Sequence, residues 1–352
     1  MPAAGTPADR PRGPGLAVDV EAFPGGEPGR RFRCSVASEG RGEPLTATAS
    51  TVRNFLLVEE PGPWGPALLT CHRLPERLRG RMAEWNRLLG IRPMLIRRPG
   101  RGAPGPRRVV VVNVVRGWAR SAVVDDVDVV ADLDLSGLLS GPMDAPTATG
   151  PVAWEPWDDP LLLVCTHGRH DACCAERGRP LAAALASRWP ELVWECSHMG
   201  GDRFAANLLC LPDGNAYGRL DAETGPEVVA GHLAGRVSLE HHRGRTTVPW
   251  VAQAAEAEVR RRLDETRLGA VTSRVLTRDA AGADVAVGVD GAVHRVRVDV
   301  THTPPAQLTC TAARPARAPA YAVRSLSEQD GSGASSEIQH GIAPEGLRND
   351  PH

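Results

Sequence analysis

The sequence contains no lysine, and its charge is almost balanced. All 41 basic side chains are arginines, and 42 acidic side chains oppose them, which gives a formal net charge of −1. A large net charge would favour binding to nucleic acid or to anionic lipid. The composition therefore indicates neither partner, and we interpret the absence of lysine as a feature of genomic composition.

The sequence also lacks a long apolar run. No stretch approaches the roughly 18 residues that span a bilayer, and residues 1–30 lack the charged start and apolar stretch of a signal peptide. We therefore predict a cytoplasmic protein without a membrane segment. Because cysteines stay reduced there, the eight cysteines are expected to be metal ligands, redox thiols or buried hydrophobic residues rather than a disulfide framework.

The order of apolar runs and helical patterns predicts an α/β fold. The 352 residues suffice for two ordinary domains, and an apolar content of 42% can supply a core for each. Both ends are poor in large apolar side chains, which is typical of disorder. The predicted division is a disordered tail (1–30), an N-terminal α/β lobe (31–150), a second lobe (151–225), a C-terminal helix with a small β appendage (226–312) and a disordered tail (313–352).

The second lobe has the predicted order strand, loop, helix, strand, loop, strand. Residues 161–164 form an apolar run that ends on Cys165, which predicts a buried strand. Pro180 is a favoured first helical residue and predicts a helix that continues to about Arg188. Two further strands are predicted within residues 193–211, before a Pro-Asp-Gly turn. This order is that of a thioredoxin-like half.

Cysteine and histidine are concentrated after the first of these strands. The segment CTHGRHDACC places three cysteines and two histidines in ten residues, from Cys165 to Cys174. The segment CSHMGGDRFAAN adds Cys196, His198 and Asp202 on a loop whose glycines would let the backbone approach a bulky group. Iron–sulfur clusters require soft thiolates, and imidazole can replace two of the four. The available spacings are Cys-x8-Cys and His-x3-Asp.

These segments, in the contexts CTHGRHDACCAERGRPLAAAL and CSHMGGDRFAANLLCLPDGNAYGRL, resemble the sucrase/ferredoxin-like family, a branch of the thioredoxin-like ferredoxins. The resemblance is strong over about 55 consecutive residues and weaker in EEPGPWG, residues 59–65. It implies a thioredoxin-like ferredoxin domain that holds a [2Fe-2S] cluster on a Cys-x8-to-12-Cys pair and a second pair spaced by three residues. The implied activity is one-electron transfer with a redox partner protein, either a reductase or an electron acceptor.

Carried over residue by residue, the resemblance places the cluster ligands at Cys165, Cys174, His198 and Asp202. The resemblance implies His-x3-His as the second pair, rather than Cys-x3-Cys, so the aspartate is a departure. A carboxylate oxygen is a harder donor than the imidazole it would replace. Cys196 lies two residues before His198, on the same side of an extended segment, and is an alternative fourth ligand.

The other cysteines receive no assigned function. Cys173 is either an alternative ligand, a thiol partner of its neighbour, or inert. The remaining four are isolated in the sequence, and free cysteines are commonly buried as small hydrophobic residues. We therefore expect structural roles for Cys34, Cys71, Cys210 and Cys310.

Polar residues of the two segments are expected to support the site. His167 and His170 are either outer-shell hydrogen-bond donors or exposed loop residues. Arg203 and Asn207 either donate hydrogen bonds to the cluster or brace their loop. Asp171 is expected to fix its loop through an ion pair with a neighbouring arginine.

Three other functions would use the same side chains. A dithiol redox enzyme could work through Cys165, Cys173 or Cys174, although the sequence lacks the Cys-x-x-Cys motif that lowers thiol pKa values. A mononuclear zinc site could use the two cysteines, the histidine and the aspartate. A protein that has lost its cluster could retain the fold as an interaction module. The sequence offers no pair of a nucleophile and a base that would indicate hydrolysis.

Overall fold

The computed structural model describes residues 31–100, 105–141 and 152–329. The tail predicted at residues 1–30 lies outside the described residues. The tail predicted at residues 313–352 lies outside them from residue 330 onwards. The described chain has a mixed α/β fold, as predicted, with a ten-stranded sheet and a separate four-stranded sheet. No helix in these ranges is both long and apolar enough to cross a membrane.

The described chain contains six α-helices, most of which lie between short runs of strands. The helices are α1 (Cys34–Gly40), α2 (Glu76–Leu89), α3 (Leu135–Ser140), α4 (Ala172–Arg188), α5 (Thr224–Leu233) and α6 (Trp250–Leu263). The large sheet contains β1 (Asn54–Glu59), β2 (Ile91–Arg97), β3 (Arg107–Asn113), β4 (Trp118–Val124), β5 (Glu155–Trp157), β6 (Leu161–Cys165), β7 (Val193–Cys196), β8 (Leu208–Leu211), β9 (Asn215–Tyr217) and β10 (His242–Arg245). The small sheet contains β11 (Val271–Arg278), β12 (Gly282–Val289), β13 (Ala292–His302) and β14 (Pro319–Gln329).

The large sheet consists of two halves with the same topology. In the first half, β1 and β2 are parallel and joined by α2, while β3 and β4 continue the sheet in antiparallel pairing beyond β1. In the second half, β6 and β7 are parallel and joined by α4, while β8 and β9 continue in the same way. The halves meet where β2 pairs antiparallel with β7, with Ile96 opposite Cys196. The loops after β1 and β6 are therefore equivalent.

The apolar sequence of β6 matches its position between two layers of side chains. All five of its residues are buried. Leu162 and Val164 pack in one hydrophobic cluster with Leu181 of α4. Leu163 and Cys165 belong to a different cluster, on the other face of the strand. A strand covered on both faces requires a continuous apolar run rather than alternation. The strand therefore ends with a buried cysteine at its carboxyl end.

Helix α4 begins at Ala172, and the predicted start at Pro180 is wrong because that proline lies inside the helix. The Asp171 carboxylate caps the helix by accepting a hydrogen bond of 2.9 Å from the backbone N–H of Cys173. An N-cap aspartate satisfies a backbone donor that the helix itself leaves free, and this favours the earlier start. Cys173 and Cys174 therefore lie in the first helical turn rather than in a loop.

Gly178 lets α4 lie directly against the end of β6. A Cβ atom at this position would lie 2.1 Å from the carbonyl oxygen of Cys165. We expect Gly178→Ala to lower the free energy of unfolding by about 1–3 kcal/mol, because helix and strand must move apart.

Gly80→Ala in α2 is the matched control, since a Cβ there meets nothing within 4 Å. Alanine at that position should stabilise the helix by about 0.4–1 kcal/mol. Urea unfolding of both variants measures the difference. Equal effects of the two substitutions would contradict the close contact of α4 with β6.

The small sheet includes residues that the sequence analysis assigned to a tail. Strand β14 pairs antiparallel along β13, so the prediction of disorder over residues 313–352 is wrong for residues 319–329. Tyr321 and Val323 pack against the cluster formed by α6 and the other strands. Among the described residues the strand pairs only with β13, and it has few large apolar residues, so its composition resembles that of a tail. The large sheet also continues through β10, past the predicted lobe boundary at residue 225.

Candidate metal centre

The four predicted ligands converge beyond the carboxyl ends of β6 and β7. Cys165 ends β6, Cys174 lies in the first turn of α4, and His198 and Asp202 lie in the loop that follows β7. The Sγ atom of Cys174 lies 3.1 Å from Oδ1 of Asp202, and the same oxygen lies 2.8 Å from Nδ1 of His198. Cys165 and Cys174 are buried in the same hydrophobic cluster, and the nearby thiol of Cys165 raises the pKa of Cys174. The four side chains thus form a continuous series of donors.

Two glycines fold the loop back so that its imidazole and its carboxylate meet. Gly200 and Gly201 have φ angles of +97° and +81°, in the region that favours glycine. A Cβ atom at Gly200 would lie 2.5 Å from Oγ of Ser50, and one at Gly201 would lie 2.2 Å from Nη2 of Arg243. The side chains of Ser50 and Arg243 therefore occupy the space beside these two glycines.

The sulfur end of the site is buried, and the imidazole end reaches solvent. Cys165, Cys174 and Asp202 have exposed fractions of 1%, 0% and 4%. The side chain of His198 is 22% exposed. A metal held here would be shielded from water at its thiolates and accessible at its imidazole.

His170 brings a second imidazole to the site. Its ring stacks on that of His198 with centroids 3.8 Å apart, and its Nε2 lies 3.7 Å from Oδ2 of Asp202. Its Nδ1 lies 3.1 Å from the carbonyl oxygen of Pro66. Because a carbonyl only accepts, Nδ1 carries a proton and donates it to Pro66, which leaves Nε2 facing the carboxylate of Asp202. The position of His170 within CTHGRHDACC was the sequence feature that could have identified it as a ligand candidate.

His167 supports the site without being free to bind metal. Its Nε2–H donates to the carbonyl oxygen of Gly65 at 2.6 Å, and its Nδ1 accepts the backbone N–H of His198 at 3.1 Å. Both ring nitrogens are used, so this imidazole orients the backbone of a candidate ligand. The ring of Trp64 lies edge-on at a centroid distance of 5.7 Å. The EEPGPWG segment of the first half therefore contacts the site through the loop after β1.

Burial and contacts set the ionisation of the donors in the metal-free protein. Burial opposes ionisation of Asp202, but contacts with His198 and Cys174 outweigh it and hold the pKa of the carboxyl at about 2. Burial lowers the pKa of His198, so its imidazole is neutral at neutral pH. Contact with Cys165, burial and the nearby carboxylate raise the pKa of Cys174. The Cys174 thiol must therefore lose a proton when metal binds, whereas the carboxylate and the imidazole are already in the binding form.

Cys196, the alternative fourth ligand, ends β7 beside Cys165 in the parallel register. It is buried in the same hydrophobic cluster as Cys165 and Cys174, and burial raises the pKa of its thiol. Within the described ranges its thiol makes no hydrogen bond to another candidate ligand. Asp202 contacts both Cys174 and His198, which favours the carboxylate as the fourth ligand.

Arg203 and Asn207 brace the loop that carries the histidine and the aspartate. Nε of Arg203 donates to Oε1 of Glu43 at 2.6 Å. Nδ2 of Asn207 donates to the carbonyl oxygen of Gly201 at 2.9 Å. Of the two roles considered for these side chains, the structure shows bracing of the loop.

Arg243 is a buried cation beneath the same loop, and it is not among the predicted site residues. Its Nη1 donates to the carbonyl oxygen of Gly200 at 3.0 Å and to Oδ1 of Asn207 at 2.8 Å. Burial lowers the pKa of its guanidinium to about 9, so it stays charged at neutral pH. Its charge partly offsets the carboxylate of Asp202 and any thiolate formed nearby.

Cys173 belongs to a different group of donors from its neighbour Cys174. Successive residues of a helix differ in direction by about 100°, so two adjacent cysteines can reach different sites. The Sγ atom of Cys173 lies 3.4 Å from that of Cys310, which lies 3.7 Å from that of Cys34. The expectation that Cys34 and Cys310 are isolated is therefore wrong. Asp171 joins this group and accepts backbone N–H groups instead of forming the expected ion pair.

Comparison with known proteins identifies the family. A model of the family described as sucrase/ferredoxin-like matches residues 45–244, which include both lobes' parallel strand pairs and all four predicted ligands. Comparison with curated proteins and with solved structures gave no match. Because the matched segment covers more than half of the 352 residues, the chain belongs to the sucrase/ferredoxin-like family.

Proposed function

We propose that this protein is an electron carrier that binds a [2Fe-2S] cluster through Cys165, Cys174, His198 and Asp202. The observation that supports the proposal is the convergence of these side chains at one end of the large sheet. Such a cluster needs two ligands for each iron, and imidazoles can replace both thiolates on one of them. The thiol pair and the imidazole–carboxylate pair supply donors of these two kinds.

The topology supports a thioredoxin-like assignment for this domain. The parallel unit β6-α4-β7, followed by antiparallel β8 and β9, has the order predicted for a thioredoxin-like half. The first half repeats this order with β1, α2, β2, β3 and β4. We infer that both halves are thioredoxin-like and that only the second carries the cluster, because the loop after β1 lacks the Cys-x8-Cys pair.

The surrounding residues suit electron transfer. A bound cluster would gain and lose one electron without a covalent step on a substrate. The buried thiolates of Cys165 and Cys174 exclude water from one side, while Arg243 offsets the negative charge that reduction adds. His198 and His170 lie at the more exposed edge, where a reductase or acceptor protein would approach. Contacts of this kind are usually small and weak, below about 1,200 Å².

A second candidate is a mononuclear metal site of two imidazoles and one carboxylate. The ligand atoms of His170, His198 and Asp202 all lie within 4.8 Å of one another. Two histidines and a carboxylate bind divalent iron or zinc without inorganic sulfide. This candidate differs from the first in two measurable ways, since it needs no sulfide and does not depend on Cys165 or Cys174.

Iron and sulfide content of anaerobically purified protein distinguishes the two candidates. For the ferredoxin we expect about two irons and two sulfides per chain, lost in His198→Ala and strongly reduced in Asp202→Ala. Cys196→Ser should retain both, as should Cys210→Ser, a control for a buried cysteine in another cluster. A single metal ion without sulfide that is lost in His170→Ala would support the mononuclear site instead. Wild-type protein that holds neither iron nor sulfide after reconstitution would contradict the ferredoxin.

A further inference from the structure

A second group of metal-binding side chains consists of Cys34, Asp171, Cys173 and Cys310. Cys34 begins α1, Asp171 and Cys173 lie at the start of α4, and Cys310 lies in the loop between β13 and β14. One ligand atom from each lies within 4.8 Å of the others. We propose that these four residues bind one structural zinc ion, at a site that shares no side chain with the cluster site.

The distances between the donors match those around a single tetrahedral zinc ion. Thiolate sulfurs about 2.3 Å from zinc are about 3.8 Å apart in a tetrahedron, and a sulfur and a carboxylate oxygen are about 3.5 Å apart. Here Cys310 Sγ lies 3.4 Å from Cys173 Sγ and 3.7 Å from Cys34 Sγ. The Sγ atom of Cys34 lies 3.5 Å and 3.6 Å from the two carboxylate oxygens of Asp171.

Burial and charge also favour a bound cation. Cys34, Asp171 and Cys173 are at most 1% exposed. Burying a carboxylate such as that of Asp171 is costly unless a cation or hydrogen-bond donors compensate its charge. A disulfide would use only two of the three sulfurs and would supply no positive charge. A zinc ion bonded to three thiolates and the carboxylate satisfies every member of the group.

Hydrogen bonds around the group stabilise its anionic form. The backbone N–H of Cys34 donates to Sγ of Cys310 at 3.5 Å. The two oxygens of Asp171 accept the N–H groups of Cys173 at 2.9 Å and of Cys310 at 2.7 Å. Zinc binding would release to solvent the protons of those thiols that are still protonated, and each sulfur would then bond to the metal. Such outer contacts hold metal ligands in place and tune their basicity.

The site would connect three parts of the chain that are distant in sequence. It joins the first turn of α1, the first turn of α4 and the loop before β14. Cys34 and Cys310 lie outside residues 45–244, the segment matched by the family model. Because Cys173 precedes Cys174, the zinc would also fix the helical turn that carries a proposed cluster ligand. Its expected role is therefore to stabilise the fold rather than to react.

Zinc content of the full chain, purified anaerobically with a reductant, tests the proposal. We expect about one zinc ion per chain in the wild type, and its loss in Cys34→Ser and Cys310→Ser. Cys71→Ser is the matched control, because Cys71 is as buried as Cys34 but lies in a separate hydrophobic cluster. Asp171→Asn keeps an N-cap side chain while removing the charge, so it should fold and bind zinc more weakly. The zinc-free variants should unfold at temperatures roughly 5 °C or more below the control.

Zinc can also occupy an empty cluster site, so the choice of variants matters. In the part of the chain that the structure describes, neither Cys34 nor Cys310 contacts a proposed cluster ligand, and iron is measured on the same samples. Zinc content that is the same in Cys34→Ser, Cys310→Ser and the control would overturn the proposal. Wild-type protein that remains zinc-free after incubation with zinc would also overturn the proposal, whether or not its mass shows a disulfide. Iron and sulfide content reports separately on the electron carrier, so either proposal can fail alone.

Discussion

Cys174→Ser should abolish bound iron and sulfide, whereas Cys173→Ser should leave both in place and remove zinc. The two cysteines are adjacent, but Cys174 contacts Asp202 and Cys165, while Cys173 contacts Cys34 and Cys310. We expect a fall from about two irons and two sulfides per chain to nearly none in the first variant. In the second, the visible absorption of the cluster should persist.

Each of these two variants serves as the matched control for the other. Both substitutions replace a buried thiol by a hydroxyl in the same helical turn, so a general loss of stability would affect both alike. Metal and sulfide analysis of the two proteins, purified side by side, measures the outcome. Parallel loss of iron and zinc in both variants would contradict the assignment of the two cysteines to separate sites.

Asp202→His should retain the cluster and raise its reduction potential. An imidazole would replace an anionic carboxylate, which lowers the negative charge of the ligand set and makes reduction easier. We expect an increase on the order of 100 mV, since potentials of clusters with imidazole ligands lie well above those with thiolates alone. Redox titration monitored by visible absorption measures this shift.

Asp202→Asn is the control, because it removes the negative charge of residue 202 without supplying a good metal ligand in its place. An amide oxygen is a weak ligand, so this variant should lose most of its iron while Asp202→His keeps it. An unchanged potential in Asp202→His would mean that residue 202 does not bind the cluster. In that case Cys196→Ser would be expected to bleach the protein, because Cys196 lies next to Cys165 at the end of β7.

Local sequence was sufficient to predict much of the second half of the sheet. The apolar run before Cys165 is long enough for one buried strand, and cysteine spacing drew attention to the loop beyond it. The meeting of Cys174 with Asp202 follows from strand topology, because the carboxyl ends of parallel β6 and β7 lie at the same edge. The start of α4 differs from the prediction because the carboxylate of Asp171 caps the helix one turn or more before the proline, which lies inside it.

The zinc group could not be predicted because its members are far apart in the chain. Cys34 and Cys310 are separated by 276 positions and become neighbours only through the tertiary fold. The place of His170 in the site could not be predicted for a related reason, since its ring lies between Asp202 and the carbonyl oxygen of Pro66, which belongs to the other half of the sheet. In each case the missing information was a contact between segments.

Mössbauer spectroscopy of anaerobic protein grown with a Mössbauer-active iron isotope tests the central claim most directly. We predict two inequivalent ferric sites in equal amounts, one with sulfur ligands only and one that also has nitrogen and oxygen ligands. On reduction by one electron, the ferrous character should appear at the second site, where His198 and Asp202 bind. A single kind of iron site, or protein without bound iron, would contradict the proposal that this chain is a [2Fe-2S] electron carrier.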